Sequence, residues 1–403
     1  MSRAIWRQPL VVLVLATIVI FISYGTRQSF GLFLRPITMD MGWGRESLSF
    51  ALATQSLMIG ITAPFAGAIA DRFNPVIVIV AAGLLYTVGL FFMSQAMTPG
   101  GMVVSVGLIA GVAAGGCGLP LLLSVVGRVA PENKRSLWLG ITTAGGTAGQ
   151  FLLVPACQWL ISTFGWASAM LVLAAGVFMI VPFGAAIAKA GGDSFTSKDP
   201  QSLGQALREA SRHRGYWLLL TGFFVCGFQV QFIIMHLPAY LADKSAGIGM
   251  GAAAIALIGL FNMIGTSVAG YLGGKHRKKN LLSLLYFGRS LVLLAFFATP
   301  VSQLSVVLFA SVIGLLWLAT VPLTAGIVAQ IFGTRYMATL YAFVFLSHQL
   351  GSFLSVWLGG RLFDATGSYD IIWWAIIVAG FAAALIHWPI NDRPVARLAE
   401  QQT

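Results

Sequence analysis

Residues 9–34 read PLVVLVLATIVIFISYGTRQSFGLFL, an apolar run with a single cation, Arg27, set inside it. About 20 predominantly apolar residues suffice to cross a bilayer as a helix. The run is too long for the apolar core of a secretion signal, and no small-residue cleavage site follows it, so it is read as a first membrane span. Working outward, similar runs fall near 46–70, 75–97, 102–128, 136–162 and 167–189, then near 216–242, 250–274, 281–299, 303–330, 337–362 and 371–390. The reading is an all-α polytopic membrane protein of twelve spans. Composition agrees: 58% of the 403 residues are hydrophobic and only 9% are charged. Soluble domains carry about 25% charge, so so few charges cannot build a water-facing surface. Cys117, Cys157 and Cys226 all lie in apolar runs and suggest no disulfide framework, metal site or catalytic thiol.

The net charge of +12 would point to nucleic acid on a soluble chain. Here its placement sets orientation instead, and no nucleic-acid partner is expected. With the N-terminus inside, eighteen of the 24 Lys and Arg fall in cytoplasmic segments, against four (Arg35, Arg45, Lys244, Arg361) outside. The excess of basic residues on one side predicts cytoplasmic termini in the cytoplasmic (inner) membrane. The longest polar stretch, 190–215, opens with Gly191-Gly192 as a flexible linker. Its second half sets Leu203, Leu207 and Ala210 on one face, as in a short interfacial helix. The expected organisation is therefore an N-terminal six-helix bundle (1–189), a linker (190–215) and a C-terminal six-helix bundle (216–403).

The two halves repeat. Pro36 and Pro238 close the first and seventh spans 202 residues apart, and Gly67 and Gly270 close the second and eighth 203 apart. Gly149-Gln150-Phe151-Leu152 matches Gly351-Ser352-Phe353-Leu354 at 202, and Trp166 matches Tyr369 at 203. Paired halves that rock about a midplane site are the architecture of alternating access, which favours a transporter.

Gly67-Ala68-Ile69-Ala70-Asp71-Arg72 resembles the loop signature of the major facilitator superfamily, and the resemblance extends over the whole chain. It implies that Gly67, Asp71 and Arg72 belong to a cytoplasmic network that holds the outward-open state. Phe73-Asn74-Pro75 departs from the usual continuation and implies a smaller network. Tyr24-Gly25, Ser29-Phe30-Gly31, Phe224 to Gln229, His236 to Tyr240 and Ser347-His348-Gln349 resemble the bacterial relatives of monocarboxylate transporters and oxalate/formate antiporters. That branch carries an Asp and, four residues on, an Arg in its eighth helix. This chain has Asn262 and Thr266 there, so a carboxylate would need its countercharge from elsewhere. The glycines of the fifth span, Gly145, Gly146 and Gly149, and of the fourth, Gly107, Gly111 and Gly115, read as close helix packing.

All twelve acids lie in loops or at span ends, so no buried carboxylate relay is expected. Of the cations, Arg27 shares a helix face with Thr17, Tyr24 and Gly31, next to Gln28, and reads as an anion site. A snorkelling arginine, or one paired with Glu46, is the structural alternative. Gln229 sits 202 residues after Arg27 and could donate to an oxyanion or merely bond a neighbouring helix. Tyr341, Phe345, His348 and Ser352 form one stripe, and His348 is the mid-span residue whose type changes charge near physiological pH. Gln349, Gln150, Trp317 and Asn262 complete the expected substrate-binding set. Arg289, in the ninth span, favours a structural partner.

The leading function is secondary active transport of a small organic anion, a carboxylate, by alternating access with proton symport through His348. The partners would be substrate, protons and lipid, and the chain would work as a monomer. Efflux of amphipathic compounds is the alternative within transport, and a transport-inactive sensor the alternative outside it. No nucleophile–base pair, metal cluster, phosphate loop or cofactor motif supports an enzyme.

Overall fold

The computed structural model describes residues 9–72, 75–130, 135–190, 202–247, 249–333 and 336–396, and these are helical with no strand among them. Eleven stretches are long and apolar enough to span a membrane. One of them, Gly140–Ile187, has 48 residues and is two spans joined end to end. Gly165, at φ 79° and ψ 167°, breaks it there. Such a backbone turn suits glycine, which has no Cβ to clash. Twelve spans result, as the apolar runs predicted.

They are α1 (Pro9–Met41), α2 (Arg45–Arg72), α3 (Pro75–Gln95), α4 (99–129), α5 (135–164) and α6 (166–190). The second half has α7 (Arg214–Asp243), α8 (Met250–Lys275), α9 (Lys278–Ala298), α10 (Gln303–Phe332), α11 (Met337–Thr366) and α12 (Asp370–His387). Between them lies a linker helix, Leu203–Arg212, opened by a reciprocal cap between Ser202 and Gln205. It buries Ala206 and Ala210, half-buries Leu207 and leaves Arg208 and Arg212 exposed.

Glycine sets how closely the helices approach. A Cβ on Gly25 would meet the Gly149 backbone, and one on Gly149 the Phe21 carbonyl, so α1 and α5 touch main chain to main chain. Gly227 and Gly351, each 202 residues later, do the same for α7 and α11. Gly107, Gly111 and Gly115 seat α4 on α2 in the same way. Small residues at crossings are what bilayer packing demands, because lipid supplies no hydrophobic drive to press helices together.

Both halves also break one helix at matching points. In α4 the segment Ala110–Gly116 ends before Leu119–Val129, and in α10 Gln303–Leu316 ends before Thr320–Phe332. The halves meet mainly where α2 runs along α11, where α5 runs along α8, and where residues 30–41 of α1 reach α7. The end segments Leu119–Val129 and Thr320–Phe332 pack mainly within their own halves. Among the described residues, the halves are therefore held together at the end away from the linker helix and are parted at the end that bears it, where the cleft opens.

At the open end the tail beyond α12 folds back. Arg277 donates to the Asp392 carboxylate at 2.6 Å, Lys279 to the Trp388 and Ile390 carbonyls, and Gln330 to the Asp392 carbonyl. Burial alone would raise the Asp392 carboxyl, but Arg277 and then Lys279 favour the ionised form and hold it below its usual value.

Candidate functional site

Arg27 lies in the last turn of the helix Pro9–Gln28, where the partial negative end of the helix favours a cation. A 3-10 turn, Phe30–Phe33, follows at once and packs against α7. The side chain is half-buried. Its Nη2 donates to the Ser56 hydroxyl of α2 at 3.3 Å, and its Nε is buried without a partner. Among the described residues no carboxylate lies at ion-pair distance from it; Glu46, the partner that the structural alternative offered, instead accepts from the Trp357 indole at 3.0 Å.

Two polar chains leave this point and cross the seam. Ser56 accepts a second bond, on its carbonyl, from Gln349 Nε2 of α11 at 3.0 Å. That bond turns Gln349 Oε1 toward His348 Nδ1, 3.1 Å away. From the neighbouring residue, Gln28 Nε2 donates to Gln150 Oε1 at 3.3 Å, and Gln150 Nε2 donates to the Ile255 carbonyl of α8 at 2.9 Å. Arg27, Gln28, Gln150, His348 and Gln349 thus come together. Tyr24 lies against Gly146 and within electrostatic reach of Arg27. Aromatic rings flank the histidine: Phe223 at 4.9 Å, Phe345 stacked at 5.8 Å, and Tyr341 6.1 Å from Phe223.

Three expected liners fall in a second cluster, inside the C-terminal half. Gln229 donates to the Ile376 carbonyl at 2.9 Å and accepts from Arg289 Nη1 at 3.4 Å, so it bonds neighbouring helices and not an open cleft. Asn262 Oδ1 accepts from the Leu318 N–H at 3.0 Å and from the Thr266 hydroxyl, and Trp317 is buried at the α10 break itself. Arg289 Nη2 donates to the Leu316 carbonyl at 2.7 Å and to the Trp317 carbonyl. Arg289 and Asn262 therefore cap the two sides of the break, satisfying groups that the interrupted helix leaves open. The halves share a frame but exchange their charges: Arg27 on α1 lies within electrostatic reach of Tyr86 on α3, whereas the equivalent positions carry Gln229 on α7 and Arg289 on α9.

Gly67, Asp71 and Arg72 end α2. Their side chains lie outside the described residues. Ser56 was not among the expected site residues, since a serine in an apolar helix carries no distinctive signal; it commonly bonds its own backbone, as its hydroxyl also does to Leu52 here.

Residues 16–356 match the sequence profile described as the Major Facilitator Superfamily. The chain belongs to that superfamily. It is a multi-pass membrane transporter, not an enzyme. It is 28% identical over 397 residues to the "Uncharacterized MFS-type transporter YcxA" of Bacillus subtilis (strain 168), covering 92% of each chain. It is 25% identical over 360 residues to "Monocarboxylate transporter 12" of Rattus norvegicus, covering 81% of this chain and 73% of that one. Among solved structures it resembles a bacterial homologue of the human lysosomal transporter Spinster, described as inward-facing and occupied. The TM-score there is 0.74 at 16% identity, over 96% and 98% of the two chains. At that identity the likeness speaks for the superfamily fold alone.

Proposed function

We propose that this superfamily member carries a small organic anion, a carboxylate, across the cytoplasmic membrane, with Arg27 as its countercharge. The observation that supports this is the state of Arg27: half-buried at the seam, bonded only to a neutral hydroxyl, and with no acid paired to it among the described residues. A buried cation left in that state favours an anionic partner. The similarity to proteins named monocarboxylate transporters agrees with this substrate class. An efflux pocket for amphipathic compounds would use the aromatic face of α7 and α11 but gives Arg27 no role.

On this reading 1–189 and 216–403 rock about the seam as two bodies, joined by 190–215, in a chain that works as a monomer with cytoplasmic termini. His348 takes up the coupled proton, because Gln349 ties it to the serine that Arg27 contacts. Gly67, Asp71 and Arg72 close the cytoplasmic end in the opposite state. The test is thermal stabilisation of the purified protein by a panel of mono- and dicarboxylates, with uptake in proteoliposomes. Small carboxylates should stabilise the wild type, and Arg27→Gln should remove both stabilisation and uptake while the protein still folds. Uptake by Arg27→Gln with unchanged apparent affinity overturns the assignment.

A further inference from the structure

The shut end of the cleft is closed by side chains that the sequence reading counted only as loop charges. Arg45, at the start of α2, grips Asp243 of α7 with two bonds of 2.6 and 2.8 Å and donates to the Tyr369 hydroxyl at 2.9 Å. Its guanidinium also lies 3.8 Å over the Phe363 ring. Two parallel bonds between a guanidinium and a carboxylate fix orientation as well as distance.

Asp364, near the end of α11, does something less usual. Its two carboxylate oxygens accept from the backbone N–H groups of Arg45 and Glu46, at 2.9 and 2.8 Å. The first N–H groups of a helix have no partner within it and are normally capped by a nearby side chain of the same segment. Here the cap comes from the other half of the molecule. Gly44 makes room for it, since a Cβ there would stand 2.5 Å from Asp364 Oδ2.

We infer that Asp364, Gly44 and the Arg45–Asp243 pair form a lock that sets the balance between the inward- and outward-facing states, by making the N-terminus of α2 depend on α11 for its cap. Opening this end breaks the paired charges and strips the cap in one movement. Neither group touches Arg27, so the lock acts on conformation and not on substrate contact. The inference rests on the superfamily's alternating access and not on the identity of the substrate.

The experiment is a spin–spin distance measurement across the lock, on the full chain in lipid nanodiscs. Labels go on Met39→Cys and Ala365→Cys, both exposed at this end, while the three native cysteines are buried. In the otherwise unaltered protein the short distance should dominate. Asp364→Asn removes one cap bond and weakens the other, and should shift the distribution toward a longer separation. Gly44→Ala, which leaves every charge in place, should shift it the same way. If both variants keep the unaltered distribution, the lock does not set the balance. Should Asp364→Asn fail to fold, Gly44→Ala alone decides between the two outcomes.

Discussion

Gln349 on α11 donates to the carbonyl of Ser56 on α2 across 3.0 Å, and the hydroxyl of that same serine receives Arg27. One residue is therefore shared between a bond that joins the halves and a bond to the unpaired cation. An anion settling on Arg27 competes with Ser56 for the guanidinium, so occupancy is felt at the seam. Ser56→Ala removes the side-chain bond and keeps the carbonyl bond. It should leave the fold intact and change the apparent affinity for the carboxylate several-fold, which a binding isotherm on the purified variant checks. An unchanged isotherm would separate Ser56 from the site.

The two buried arginines should answer differently to mutation. Arg289 holds the carbonyls of Leu316 and Trp317, so Arg289→Met leaves buried acceptors open. Hydrogen bonds to a charged group are worth about 1.5–3 kcal/mol, and the variant should lose stability of that order. Arg27→Gln gives up only one long bond to a serine and should melt close to the wild type. Thermal unfolding of both variants in the same detergent makes the comparison, and equal losses would contradict the division of roles.

The histidine carries the coupling prediction. If proton and anion each promote the other's binding, as linkage requires, acidifying the side from which substrate enters should tighten carboxylate binding. His348→Gln cannot take up the proton and should flatten that dependence while retaining exchange. Proton-driven accumulation at the wild-type level in His348→Gln would rule His348 out as the carrier.

Helix packing gives a prediction free of any substrate. Gly149→Val drives a branched side chain into the Phe21 carbonyl, and Gly351→Val does the same against Phe224. Overpacking of this kind costs about 1–3 kcal/mol. Gly176→Val, at a glycine with open space beside it, should be silent. Three melting curves test the set.

Acid should act on the tail. The Asp392 carboxyl is held below its ordinary value, so its contribution to stability is complete above the unfolded value, about 3.9. It is lost as pH falls through the lower, folded value. Stability of the wild type should therefore decline on acidification below about pH 4, and Asp392→Asn should start lower and decline less. Parallel curves for the two proteins would mean that Arg277 gains nothing from this carboxylate.

The fold was legible because a bilayer leaves the chain few options. Runs of some 20 apolar residues have one use, and a glycine such as Gly149 that recurs as Gly351 marks a contact that both halves need. Arg27, His348 and the glutamines beside them stood out because a polar group in lipid must have a reason to be there. What could not be read was partnership at long range. Arg45 and Asp243 are 198 residues apart and each looked like an ordinary loop charge. Gln229 stands at the position equivalent to Arg27, but Arg289 and α12 claim its side chain, and no local pattern in α7 announces them.

The lone charge of Arg27 has an electrical consequence. When a monovalent anion sits on it and the coupled proton sits on His348, the site keeps the net charge of the empty one, so the field does equal and opposite work on the loaded and the empty stroke. When the site is empty, the uncompensated positive charge feels the field, worth about 2.3 kcal/mol per charge for every 100 mV across the full membrane. On the proposed reading anion and proton together carry no net charge across, so accumulation follows the proton gradient and not the membrane voltage.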